Sequence, residues 1–283
     1  MIRSTFRHFP GISAAAEQQL WAAGICSWDC AGPMAGINLP SRWLQAIDRH
    51  LHESRQKLDG GDCGYFAGLL PSREHWRLFP EFRSNIAYLD IETTGLSSFA
   101  SHITTIALYD GRSIRHYVHG ENLDQFRRDI GDYGLVVTYN GKCFDLPFIR
   151  QALDLKMDQA HIDLRYVLKS LGYGGGLKGC EKKLGLDRGE LDGVDGFFAV
   201  LLWQDYRRSG NPRSLETLLA YNIQDVVNLE TVLVMAYNLK LAATPFAQSH
   251  RLAMPRPPKL PFVPDRETVQ RLKRQYERCM VRW

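Results

Sequence analysis

The sequence predicts an α/β protein whose mixed β-sheet is flanked by helices. Three short segments rich in β-branched and aromatic residues follow one another between residues 85 and 119. A helical segment separates them from a fourth apolar run at 135–139, and longer patterns with helical spacing fill most of residues 145–239. Strands that alternate with helices in this order indicate a sheet covered by helices.

Residues 1–84 are predicted to form an N-terminal helical extension. Ser13 suits the N-cap of a short helix at 14–23, and Gly24 suits its C-terminal end. Apolar residues at helical spacing predict a second helix at 40–60.

The first strand is predicted within Asn85–Gly95, which has an apolar body and ends in Asp90 and Glu92. Asp110-Gly111 suits a tight hairpin turn between the second and third strands. The other predicted strands are Ile103–Tyr109, Ser113–Val118 and Leu135–Tyr139. The predicted helices cover residues 122–130, 145–153, 177–184, 195–208 and 214–239.

The chain is predicted to finish with a Pro-rich linker at 255–264 and a basic amphipathic helix at 265–283. An apolar stripe on this helix includes Leu272 and Trp283. The stripe indicates either packing on the rest of the protein or recruitment of a partner.

The composition is that of an ordinary soluble globular protein, with 45% apolar and 23% charged residues and a net charge of +4. Acidic residues predominate in 85–244 and basic residues in 245–283. This distribution indicates either a metal site with a phosphate-binding tail or a solvated charged tail. No run approaches the ~20 apolar residues of a membrane span. Six scattered cysteines favour a reducing compartment, so we expect a cytoplasmic protein without membrane attachment.

Asp90 and Glu92 are two residues apart on the predicted first strand and therefore point to the same face of the sheet. Two like charges at the end of a buried strand repel each other and raise a pKa unless a positive group lies between them. A divalent metal ion with oxygen ligands is the simplest such group.

Two further acidic residues belong to motifs that extend this site. Asp145 begins a predicted helix after the fourth strand, where an N-cap and a metal ligand are equally good interpretations. Tyr221 and Asp225 are four residues apart on a predicted helix, so they project from the same face.

Together these segments resemble the motifs of the DEDD superfamily of DnaQ-like, ribonuclease-H-like 3′–5′ exonucleases. The three blocks are Leu89-Asp-Ile-Glu-Thr-Thr-Gly95, Asn140-Gly-Lys-Cys-Phe-Asp145 and Tyr221-Asn-Ile-Gln-Asp225. Tyr221 matches the DEDDy branch, because the His branch would place histidine at Ala220. The segments 176–188 and Phe9-Pro-Gly-Ile12 are similar to the bacterial YprB-like family.

The resemblance implies a ribonuclease-H-like mixed five-stranded sheet over residues 85–244. It implies that two Mg²⁺ or Mn²⁺ ions are bound by Asp90, Glu92, Asp145 and Asp225. Tyr221 would then orient the attacking water, and the products would be 5′-mononucleotides released from a 3′ end. The implied partner is nucleic acid, with single-stranded DNA or a 3′ end favoured and RNA as the alternative.

Several other residues are candidates for nucleic-acid contact, and each has a structural alternative. Thr93 and Leu96 either lie beside the terminal nucleotide or form a turn, and Asn140 either contacts the strand or caps a turn. Lys142, Lys178 and Lys182 either bind phosphates or are solvated. Pro10 and Gly11 resemble half of a helix-hairpin-helix phosphate contact, or open a plain packing helix. Asp163 is interpreted as structural.

These motifs are also compatible with other function classes. The same fold could carry a structure-selective nuclease, with the N-terminal extension and the tail selecting the substrate. It could also be a non-catalytic nucleic-acid-binding module, although such a module would normally have lost one of the four carboxylates. The sequence leaves DNA versus RNA, the preferred metal, the oligomeric state and protein partners open.

Overall fold

The computed structural model describes residues 1–30, 39–187 and 196–280, with side chains as far as residue 275. A single five-stranded sheet forms the centre of this described part. Its strands are β1 (Ile86–Thr93), β2 (Ile103–Tyr109), β3 (Ile114–Val118), β4 (Leu135–Thr138) and β5 (Ala160–Asp163). They lie in the order β3-β2-β1-β4-β5. The mixed five-stranded sheet implied by the sequence is confirmed.

β1 is the central strand and pairs antiparallel with β2 and parallel with β4. Asp90 lies opposite Ala107, and Glu92 lies opposite Thr105. The register shifts between Glu92 and Thr93, and Thr93, the last residue of β1, pairs with Ile103. The carboxylates therefore lie at the carboxyl end of the central strand, the edge at which α/β proteins commonly build their sites.

Helices cover both faces of the sheet and its flanks. In chain order they are α1 (Ala14–Ala22), α2 (Ser41–Asp59), α3 (Cys63–Leu69), α4 (Phe79–Phe82), α5 (Gln125–Asp129), α6 (Asp145–Leu153), α7 (Leu164–Lys169), α8 (Gly176–Lys183), α9 (Gly196–Ser209), α10 (Pro212–Leu241) and α11 (Arg266–Met280). The hydroxyl of Ser13 accepts a hydrogen bond from the amide of Ala16, which confirms the predicted N-cap of α1.

Alternate residues of β1 belong to two different cores. Leu89 and Ile91 pack with Phe126 and Phe148 on the face that α5 and α6 cover. Ile86 and Tyr88 belong to the larger core on the opposite face, where α10 packs across β1 and β2. Asp90 and Glu92 continue this second row because strand side chains alternate. Both carboxylates thus face α10.

The helix predicted at 122–130 is shorter in the structure, where α5 is followed by a 3-10 turn at 130–132. Asn122 explains the difference. Its side chain accepts a hydrogen bond from the amide of Val118 and donates one to the carbonyl of His116. It therefore extends the end of β3 instead of beginning a helix.

Helix α3 and the 3-10 segment at 72–78 cover β5, which is an edge strand of the sheet. His75 makes a direct contact with this edge. Its Nδ1 lies 2.8 Å from the carbonyl oxygen of His161, and its Nε2 lies 2.9 Å from that of Leu70. Exposed strand edges invite unwanted pairing, so this cover protects the sheet.

The C-terminal tail, described as far as residue 280, packs against the rest of the protein. The side-chain amide of Asn238 on α10 hydrogen-bonds both backbone groups of Leu252. Val269 and Leu272 of α11 are buried in the larger core, as the packing interpretation of the tail expects. Trp283 and the side chains of Tyr276 and Met280 lie outside the described part of the chain.

Candidate active site

Three carboxylates converge where β1 ends beneath α10. Asp90 and Glu92 come from the strand, and Asp225 comes from the helix. One oxygen of each lies within 4.8 Å of the other two. Glu92 and Asp225 are only 8% and 5% exposed. The strand alternation and the helical position predicted from the sequence thus bring these three side chains together.

Asp145 lies beside these three carboxylates as a fourth member of the cluster, although its oxygens are not among those that lie within 4.8 Å of one another. It is the first residue of α6, and its Oδ1 accepts a hydrogen bond of 3.2 Å from the amide of Ile91, between the two strand carboxylates. Phe144 occupies the N-cap position, and no side-chain cap is formed there. The N-cap interpretation of Asp145 is therefore wrong. The side chain instead points toward β1.

Burial and mutual repulsion perturb this cluster strongly. Burial raises the pKa of Asp90 well above its usual range. The charges of Glu92, Asp145 and Asp225 raise it further, while a hydrogen bond from Asn222 opposes the shift. Burial also raises the pKa of Asp145 to about 7, against the hydrogen bond from Ile91. Such a cluster favours binding of a cation, which removes the cost of ionising the carboxyls.

Tyr221 lies one helical turn before Asp225 and is buried. Its hydroxyl accepts a hydrogen bond of 2.6 Å from the Nζ of Lys178 on α8. The same ammonium lies 4.4 Å from the centroid of the Tyr221 ring, which adds a cation–π attraction. Lys178, a predicted phosphate contact, is thus placed beside Tyr221.

An open cleft of about 310 Å³ contains these groups. Asp90, Glu92, Tyr221 and Asp225 line one part of it. Gly175, which precedes α8, and Lys178 in its first turn also line the cleft. Gly175 has a φ of 103°, a conformation that glycine adopts without strain. A strongly acidic floor and a basic side chain therefore share one cleft.

The other predicted nucleic-acid contacts differ in their positions. Thr93 is buried, and its hydroxyl donates to the carbonyl of Gly95, so it stabilises the turn after β1. Leu96 is 90% exposed in the same turn. Lys182 is exposed on α8, and Lys142 is exposed with its Nζ 5.8 Å from the ring centroid of Tyr166.

Asp163 shapes the loop that leads to Asp145. Its carboxylate accepts hydrogen bonds from the amides of Asn140 and Lys142, in agreement with the structural interpretation. Asn140 has a φ of 68°, which asparagine tolerates better than most residues. The next position, 141, requires glycine, because a Cβ on Gly141 would lie 2.2 Å from the Oγ1 of Thr138.

Two polar contacts of α10 were not predicted from the sequence. Asn222 donates to Asp90 across 132 residues of sequence. Asn228 donates to the fully buried Glu181, which links α10 to α8. Helical spacing was the sequence signal for the second contact. It places Glu181 on the same face of α8 as Lys178, three residues earlier, and Asn228 on the same face of α10 as Tyr221, seven residues earlier.

The fold and the cluster together define a class: an α/β protein with a cluster of carboxylates, able to hold a cation, at the end of its central strand. A family model of the RNase_H superfamily matches residues 87–237, and the chain belongs to this superfamily. Among solved structures, the chain is similar to the family B DNA polymerase from the hyperthermophilic archaeon Pyrobaculum calidifontis, at 14% identity and a TM-score of 0.43. That similarity spans 59% of this chain and 27% of the polymerase. No protein of curated function matches the chain. No helix in the described residues could cross a membrane.

The cluster predicts how stability of the metal-free protein depends on pH. An acid whose folded pKa is raised binds more protons folded than unfolded, so the free energy of unfolding falls as pH rises. For Asp145 this fall extends from about pH 4, the unfolded value, to about pH 7. We expect the melting temperature in Mn²⁺ to exceed that in EDTA by a margin that widens from pH 5 to about pH 8. Asp90→Asn should narrow the margin, and a margin independent of pH would contradict the prediction.

Proposed function

We propose that this protein is a metal-dependent 3′–5′ exonuclease of the DEDDy branch, closest to the YprB-like family. The observation that carries the proposal is the convergence of Asp90, Glu92 and Asp225 with Tyr221 in one cleft. Asp145, adjacent to the first strand carboxylate, completes the set of acidic residues. Membership of the RNase_H superfamily supports a phosphodiester substrate.

The donor set fits a hard divalent cation, because all its members are carboxylates and three of them lie within reach of one ion. We propose that Asp90, Glu92, Asp145 and Asp225 hold Mg²⁺ or Mn²⁺, as two ions. A bound divalent cation supplies Lewis acidity, which acidifies water and neutralises charge at a phosphate. The burial of the cluster strengthens this effect, since electrostatic interactions are stronger away from bulk water.

The side chains around the cluster have separate tasks in this proposal. The hydroxyl of Tyr221, which accepts a hydrogen bond from Lys178, would orient the attacking water. The ammonium of Lys178 adds positive charge beside the scissile phosphate. Leu96 and Lys182 are exposed and would contact the terminal nucleotides and the backbone.

We further propose that the chain is organised in three parts with the boundaries expected from the sequence. Residues 85–244 would form the nuclease. Residues 1–84 and 245–283 would support it, because both pack into its larger core through residues such as Trp76 and Leu272. Thr93 and Asn140 would hold the turns that carry Leu96 and Lys142.

Digestion of 5′-labelled oligonucleotides tests the proposed function. DNA and RNA, single- and double-stranded, are incubated with the protein in Mg²⁺, Mn²⁺ or EDTA. We expect a ladder that shortens from the 3′ end, release of 5′-mononucleotides, and no products in EDTA or with Asp90→Ala. Binding without cleavage would favour a non-catalytic nucleic-acid-binding module instead. Internal cuts would indicate a structure-selective nuclease, and cleavage in EDTA would contradict the proposal.

A further inference from the structure

The side chain of Asn222 on α10 is fully buried, and its amide forms hydrogen bonds with both β1 and β2. Its Nδ2 donates a hydrogen bond of 2.6 Å to the Oδ2 of Asp90 on β1. Its Oδ1 accepts a hydrogen bond of 3.0 Å from the hydroxyl of Thr105 on β2. Asn222 and Thr105 have no exposed surface. The three side chains form a chain of hydrogen bonds from three separate elements.

The sheet register explains why these side chains meet. Thr105 lies directly opposite Glu92, so both point to the face that α10 covers. Asp90, two residues earlier on β1, points to the same face and lies opposite Ala107. The small side chain of Ala107 leaves space for the Asn222 amide between strand and helix.

When Asp90 is ionised, these hydrogen bonds permit only one orientation of the Asn222 amide. A carboxylate accepts hydrogen bonds only, so Asn222 must present its NH₂ group to Asp90. The amide oxygen then faces Thr105, whose hydroxyl must donate. Without that hydroxyl, the buried amide oxygen would lose its partner, and the amide would be held only through its bond to Asp90.

We propose that Asn222 and Thr105 are positioning residues that hold the carboxylate of Asp90 for a divalent cation. This inference rests on the metal site of the proposed function. The amide holds Oδ2 of Asp90, and among the described residues Oδ1 has no hydrogen-bond donor. Being neutral, the amide holds Asp90 without bringing a positive charge that would compete with the ion. Partners that orient metal ligands in this way typically contribute 10–100-fold to metal affinity.

Thr105→Val is the sharpest variant, because it removes one hydroxyl and keeps the shape of the side chain. Thr104→Val is its matched control. Thr104 is the preceding residue on β2 and is also buried, but its hydroxyl has no hydrogen-bond partner among the described residues. Asn222→Leu removes the amide itself, and Thr105→Val still decides the question should Asn222→Leu fail to fold.

Isothermal titration with Mn²⁺ and no nucleic acid measures the effect. We expect the Kd to rise about 10-fold in Thr105→Val and 10–100-fold in Asn222→Leu, with Thr104→Val unchanged. Unchanged affinity in Thr105→Val, with binding lost in Asp90→Asn, would overturn this inference and leave the metal site standing. Failure of the unaltered protein to bind Mn²⁺ would overturn the metal site itself and this inference with it.

Discussion

Asp225→Asn is expected to lower kcat/KM for 3′-end hydrolysis by about 10³-fold or more, which corresponds to ~4 kcal/mol of transition-state stabilisation. Asp225 is one of the three carboxylates that meet within 4.8 Å. Asparagine has nearly the same shape but no charge, so the cation would lose one anionic ligand in a buried site. The loss should exceed that of a single ordinary hydrogen bond, since a cation acts on several charges of the transition state at once.

The measurement is single-turnover hydrolysis of a 5′-labelled strand at saturating Mn²⁺. Asp158→Asn is the matched control, because the same change is made at an exposed carboxylate that pairs with Lys156. We expect the rate of this control to equal that of the unaltered protein. A rate for Asp225→Asn within about tenfold of the control would contradict the assignment of Asp225 as a metal ligand.

Tyr221→Phe, measured in the same assay, compares the contribution of the Tyr221 hydroxyl to the rate with that of the Asp225 carboxylate. The change removes only the hydroxyl that Lys178 contacts. Because the cation already supplies acidity, we expect a loss of about 10²-fold or less, smaller than that of Asp225→Asn. A larger loss than for Asp225→Asn would indicate that Tyr221 itself performs the essential proton transfer.

The parts of the site that the sequence predicted are those determined by local geometry. Strand alternation places Asp90 and Glu92 on one face, and one helical turn joins Tyr221 to Asp225. Both relations depend on secondary structure alone. The strand bounds of β2 were predicted correctly for the same reason, since an apolar, β-branched run is bounded by turn residues.

The parts that were missed depend on how elements cross in space. Asn222 contacts Asp90 because α10 passes over β1 and β2, and no spacing within either segment encodes that crossing. Glu17 is a similar case. By its spacing it lies one residue beyond a capping-box position, yet it is buried against Arg77, 60 residues away. Long-range polar partners of this kind require the packed structure.

Arg77→Met is expected to lower the free energy of unfolding by about 3–5 kcal/mol. Arg77 is 4% exposed, and its guanidinium donates to both oxygens of Glu17, at 3.1 and 2.8 Å. It also donates to Glu74 at 2.9 Å and lies 5.0 Å from the ring centroid of Trp76. The interaction joins α1 to the 3-10 segment at 72–78 that leads toward β1.

The loss of stability in Arg77→Met arises mainly from Glu17, the partner that remains. Glu17 is 2% exposed, and burial raises its pKa while Arg77 opposes that shift. Without Arg77, the carboxylate is a buried charge whose remaining donors among the described residues are the amides of Phe6 and Arg7. Because the raised folded pKa allows Glu17 to bind a proton as pH falls, the penalty should be smaller at about pH 5 than at about pH 8.

Urea denaturation of Arg77→Met, Glu17→Gln and the double variant measures these terms in a double-mutant cycle. The double variant should be more stable than Arg77→Met alone, because a neutral amide replaces the stranded carboxylate. Arg3→Met is the matched control, since Arg3 pairs with Asp59 at the surface, where both side chains are about half exposed or more. Exposed pairs contribute about 0–1 kcal/mol. If Arg77→Met cost no more than Arg3→Met, the buried network would be a consequence of the apolar packing of residues 1–84 and would not itself stabilise the fold.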